Sequence, residues 1–154
     1  MNQKQILIPL SGYLRDWVIH QYGEPARFPP RSYENAILAR YLTRRLPLQP
    51  LSEDGVLIEL PQVRGKDAVC YCAISPIGIA MLQDAIDVIF RLDMWHSLAP
   101  LLTQGNINVR IRDWCISRGI DDDHVEAVRQ KFYRARKDYA KSGIILGKRY
   151  KTQD

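Results

Sequence analysis

The stretch from Ser75 to Pro100 constrains the fold most strongly. Ser75 can cap a helix, and Pro76 suits its first position, where the missing N–H would have no intrahelical partner anyway. Behind them Ile79, Leu82, Ile86, Ile89 and Phe90 recur at three- and four-residue spacing, with Met81, Ala85 and Val88 thickening the stripe. Most of a helix this apolar is expected in the core. Pro100 should end or kink whatever helix runs through Trp95 and Leu98, and Gly105-Asn106 closes the segment.

Shorter pieces precede it. Ser11 can cap a helix over residues 11–22 that carries Leu14, Trp17, Val18 and Tyr22, with Gly23 and Pro25 as stop signals. Phe28-Pro29-Pro30 is an extended connector, and Ser32 caps a second helix whose stripe is Tyr33, Ile37, Tyr41 and Leu42. Arg40, Arg44 and Arg45 fall near that helix's C-terminus, where cations suit the dipole. A linker or loop follows at 46–55. Val56–Leu60 and Ala68–Ala73 are rich in strand-favouring residues, and the turn at 64–67 between them predicts a β-hairpin, with Ile6–Ile8 as a candidate third strand. The expected fold class is mainly α (α+β): a helical bundle with a small central hairpin.

Three cysteines cannot all pair within the chain, so reduced thiols are the simpler expectation. Cys70 and Cys72 would share one face of a strand and resemble half a metal site, but the other half is missing. They are therefore expected to be small buried hydrophobes, and no metal or other cofactor is expected. The N-terminal residues do not form a secretory signal, and no run approaches the roughly 18 apolar residues of a membrane span, which leads to the expectation of a cytoplasmic protein. Glycine-rich phosphate loops, dinucleotide fingerprints, nucleophile elbows and paired metal-binding histidines do not occur, so no enzyme activity is expected.

Charge is distributed unevenly. Residues 1–106 carry ten Lys/Arg against ten Asp/Glu, whereas residues 107–154 carry twelve against seven and so hold the whole net charge of +5. A segment this basic is suited to meeting a polyanion. In the same segment Ile111, Trp114 and Cys115 make a short apolar face, Gly119-Ile120 follows, and Asp121 or Asp122 can cap a longer helix bearing Val125, Val128, Phe132, Ala135 and Tyr139. At about 100° per residue, Gln130, Arg134, Lys137 and Lys141 fall on the opposite side, flanked by Arg129 and Tyr133.

A small residue four before a turn glycine, an apolar residue right after it, and apolar residues six and nine after it resemble the helix-turn-helix of DNA-binding proteins. Cys115, Gly119, Ile120, Val125 and Val128 occupy those positions. The chain resembles the small helix-turn-helix proteins of prophages and other mobile elements over residues 108–142. The resemblance implies transcription regulation or accessory DNA binding, with a homodimer formed through a scaffold at 1–106 and the helix-turn-helix with its basic tail at 107–154, or with the whole as one compact domain. On that reading Arg129, Gln130, Arg134, Lys137 and Lys141 contact double-stranded DNA. Arg110, Arg112, Lys148, Arg149 and Lys151 add phosphate contacts.

The acidic start of the second helix, Asp121-Asp122-Asp123-His124-Val125-Glu126, opposes this reading, because capping explains only one or two of the acids. The alternatives are a protein–protein adaptor, in which Trp17, Trp95 or Trp114 anchors an interface, and RNA binding through the same basic face.

Overall fold

The computed structural model describes residues 5–10, 12–44 and 54–142. Over these residues the chain is mainly helical, with five α-helices and two small two-stranded antiparallel sheets. The elements are β1 (Gln5–Pro9), α1 (Gly12–Tyr22), α2 (Tyr33–Tyr41), β2 (Leu42–Thr43), β3 (Gly55–Glu59), β4 (Ala73–Ile74), α3 (Pro76–Leu98), α4 (Ile107–Ser117) and α5 (Val125–Lys141). Ser11, most of the expected linker at 46–55 and the tail from 143 lie outside the described residues. No described helix is long and apolar enough to cross a membrane.

Contacts divide the chain into two units, 1–88 and 89–154. The end of α3, from Ile89 on, therefore goes with the segment expected to begin at 107. Aromatic packing explains why. Phe90 meets Trp114 edge-on at 5.6 Å, and Trp95 stacks on Phe132 at 5.5 Å and on Tyr139 at 4.6 Å.

In the first unit, β1 and β3 pair antiparallel with Ile8 opposite Val56 and Ile6 opposite Ile58. Ile8, Val56 and Ile58 are fully buried, whereas Leu57, which points to the other face, is exposed. The expected hairpin between 56–60 and 68–73 does not form. One edge of β3 is taken by β1. The other is taken by Ala26, whose N–H donates to the Leu57 carbonyl at 2.7 Å and whose carbonyl accepts from the Glu59 N–H at 2.9 Å. Residues 67–71 close on themselves instead. The Asp67 carbonyl accepts from the N–H groups of Cys70 and Tyr71, and its carboxylate accepts from the Val69 N–H. Only Ala73–Ile74 remain as strand, paired with β2. Cys70 is consequently exposed and Cys72 half-buried, so of the three cysteines only Cys115 is a buried hydrophobe.

The helix ends follow local chemistry. Ser32 Oγ accepts from the Asn35 N–H at 3.2 Å to start α2, and Ser75 Oγ accepts from the Gly78 N–H at 3.2 Å to start α3. The α2 stripe differs from expectation: Ile37 and Leu38 are buried, and Tyr33 is 63% exposed. Lys66 closes the other end of α2, its ammonium donating to the carbonyls of Ala39, Arg40 and Leu42.

Burial along α3 recurs at every fourth residue: Gly78, Leu82, Ile86, Phe90, Met94 and Leu98. Four residues make about 400° of turn, so the buried line drifts by about 40° per step and the helix has no single apolar face. Val88, expected in the core, is exposed because it stands about 200° round the helix from both Ile86 and Phe90, on the opposite side. Gly78 is needed where α3 passes the end of α2, because a Cβ there would lie 2.3 Å from the Tyr41 Cβ.

Candidate nucleic-acid interface

The C-terminal helices form a hairpin with a shared core. Asn106 caps α4 by accepting from the Asn108 N–H, and α4 buries Ile111, Trp114 and Cys115. From α5 come Val125, Val128, Phe132 and Ala135. Burial pushes the Cys115 thiol up to about 11, with Arg129 opposing the shift and Asp122 adding to it.

The turn has a definite architecture. Gly119 is left-handed, with φ of 69°. Its N–H donates to the Ile116 carbonyl at 3.2 Å, and the next N–H, that of Ile120, donates back to Cys115 at 2.9 Å. These two bonds are the Schellman helix ending, in which the residue after the glycine packs against the turn it closes. Cys115 and Ile120 are both buried. The spacing of Cys115, Gly119 and Ile120 therefore has a purely structural cause.

Arg118, at the end of α4, ties this turn to α3. Its guanidinium donates twice to the Asp93 carboxylate, at 2.8 and 3.0 Å, and lies over the Trp114 ring at 5.7 Å. Hydrogen bonding to Asp93 raises its pKa further. Sequence reasoning missed this pair, since nothing local connects residues 25 positions apart.

The acids expected to oppose an anionic partner lie mostly before α5, and Asp121, Asp122 and Glu126 have local partners. Asp122–His124 form a 3-10 turn, and the Asp121 carboxylate caps it by accepting from the Asp123 N–H at 2.9 Å. Asp122 lies 3.9 Å from Arg112, and Glu126 pairs with Arg129 at 2.6 Å. The Asp123 side chain is exposed.

These contacts divide the expected site residues. Arg129 is held by Glu126 with its Nε buried, and Arg112 leans toward Asp122. Arg110 is exposed and makes one long bond, 3.4 Å, to the Gln104 carbonyl. Gln130, Arg134, Lys137 and Lys141 are all exposed on one side of α5. Among the described residues none of these four side chains has a hydrogen bond or ion pair. Eleven rises of about 1.5 Å from Gln130 to Lys141 make this stripe roughly 16 Å long. Tyr133, at its margin, donates to Asn108 Oδ1 at 2.9 Å and braces α5 against the start of α4. Lys148, Arg149 and Lys151 lie outside the described residues.

Among the described residues no group of three or more His, Cys, Asp or Glu side chains is arranged to hold a metal ion. No family model, characterised protein or solved structure matches this chain.

Proposed function

We propose that this chain is a non-enzymatic DNA-binding protein, a transcriptional regulator or mobile-element accessory factor, that uses α4 and α5 as a helix-turn-helix. The observation that carries the reading is the unpartnered stripe Gln130, Arg134, Lys137 and Lys141 on α5, beside acids that are largely taken up by caps and ion pairs. An α-helix fits the major groove, where Arg and Lys can donate to phosphates or guanine and Gln can pair with adenine. The later turns of α5 would supply the contacts, because Arg129 and Arg112 already have carboxylates nearby. A homodimer would present two such helices to a two-fold site.

Titration of a fluorescent duplex at several salt concentrations tests this. Wild-type binding should weaken with salt, and Arg134→Ala/Lys137→Ala, still folded, should lower the log–log slope by about 1.8 if both residues contact phosphate. A folded wild type that ignores duplex at low salt would end this reading.

A second reading is a protein-binding surface on α4. It is favoured by Val109, 53% exposed, and Ile116, 60% exposed, which stand two turns apart on the solvent side of that helix.

A further inference from the structure

The arginines at the end of α2 have a different role from the one their position suggests. A cation near a helix C-terminus ordinarily answers the last carbonyls. Here Lys66 does so from another segment, with bonds of 3.1, 3.5 and 3.0 Å to Ala39, Arg40 and Leu42. Arg40 and Arg44 are left out of the cap and are exposed.

Their guanidinium groups are nevertheless held. Arg40 lies over the Tyr41 ring at 5.6 Å and Arg44 over the Tyr71 ring at 5.8 Å, with the Lys66 ammonium 5.9 Å from that same ring. A cation–π contact uses none of the guanidinium's N–H groups as hydrogen-bond donors, so they remain available to a phosphate, which a guanidinium can meet fork to fork. The contact with the ring also restricts a long side chain before any ligand arrives, which lowers the entropy lost on binding. Among the described residues no carboxylate pairs with Arg40, Arg44 or Lys66. Asp67, the acid next to Lys66, uses one oxygen to accept from the Val69 N–H. Three cations gathered at one helix end repel each other, and a bound anion would relieve that repulsion.

We propose that Arg40 and Arg44, lying over the rings of Tyr41 and Tyr71, form a second phosphate-binding site, in the first unit, for backbone phosphates of the nucleic acid. The identity of the ligand rests on the DNA-binding reading; the site itself does not use α5. It also gives the first unit, whose charges balance overall, a local basic patch.

The test is the same duplex titration with Arg40→Gln/Arg44→Gln beside Arg134→Ala/Lys137→Ala, with circular dichroism as the folding control. The Gln pair should lower the salt slope by about 1.8 and weaken binding about tenfold at moderate salt. Unchanged affinity and slope in the folded Gln pair would overturn this site and leave the α5 reading intact. Binding lost in the Gln pair but kept in the α5 pair would support this site and remove α5 as the interface. If the Gln pair does not fold, Arg40→Lys/Arg44→Lys takes its place. That pair keeps the charge and loses the fork, so binding should weaken severalfold at an unchanged slope, and undiminished affinity would overturn the site. A folded wild type with no affinity for duplex would overturn both readings.

Discussion

Asp93 and Arg118 offer a direct measure of how firmly the helical hairpin is tied to α3. Their side chains are 24% and 29% exposed, between the surface and buried regimes. Exposed pairs contribute about 0.2–1 kcal/mol, whereas removing one partner of a buried pair costs about 3–5 kcal/mol. Two aligned charge-assisted bonds at 2.8 and 3.0 Å, about three-quarters removed from water, place either single alanine substitution near 2 kcal/mol. Arg118→Ala also loses the stacking over Trp114, which adds about 0.5–1 kcal/mol, so it should be the worse of the two. Urea unfolding of both single variants and the double variant closes a thermodynamic cycle. The coupling should be about 1–2 kcal/mol at an unchanged denaturant slope. A coupling below about 0.3 kcal/mol would refute this, since that is the error expected for independent sites.

Two further tests concern the core. The Cys115 thiol, raised from 9.0 to about 11 on folding, stays protonated in the native chain while the unfolded chain deprotonates. Stability should therefore be intact below pH 9 and fall between pH 9 and 11, by about 2–3 kcal/mol in total. Urea midpoints of Cys115→Ala should show a shallower decline over that range, and parallel slopes would sink the assignment. Gly78→Ala sets two effects against each other. Helix propensity favours alanine by about 1 kcal/mol, but the new methyl would lie 2.3 Å from Tyr41 Cβ and 2.8 Å from Ile74 Cγ2. The clash should win by about 1–3 kcal/mol, and a raised melting temperature would show that α3 yields more easily than its packing implies.

The features legible in the sequence are those with local causes. Ser32 and Ser75 cap helices through atoms three residues away, and the solvent stripe of α5 follows from spacing alone. Strand partners were not legible, because the strand pattern at Val56–Leu60 says nothing about whether β1, Ala26 or residues 68–73 will take its edges. The four-residue recurrence on α3 resembled one stripe because its slow drift shows only over several turns. At the candidate site, the Glu126–Arg129 pair could have been anticipated from its spacing of three. The Arg118–Asp93 pair and the Lys66 cap depend on tertiary approach.

The Schellman ending at Gly119 separates two properties that the helix-turn-helix pattern treats as one. Cys115, Gly119 and Ile120 specify how α4 stops and which residue is buried next, and any helical hairpin ending this way meets the same requirement. On the proposed DNA-binding reading, choice of ligand on α5 would reside in residues that the pattern leaves unconstrained: Gln130, Arg134, Lys137 and Lys141. Shape and recognition can therefore vary independently in this hairpin. A library randomised at those four positions would sample new binding preferences on an unaltered backbone, whereas changes at the three turn positions would alter the backbone and leave the chemistry of the exposed face as it is.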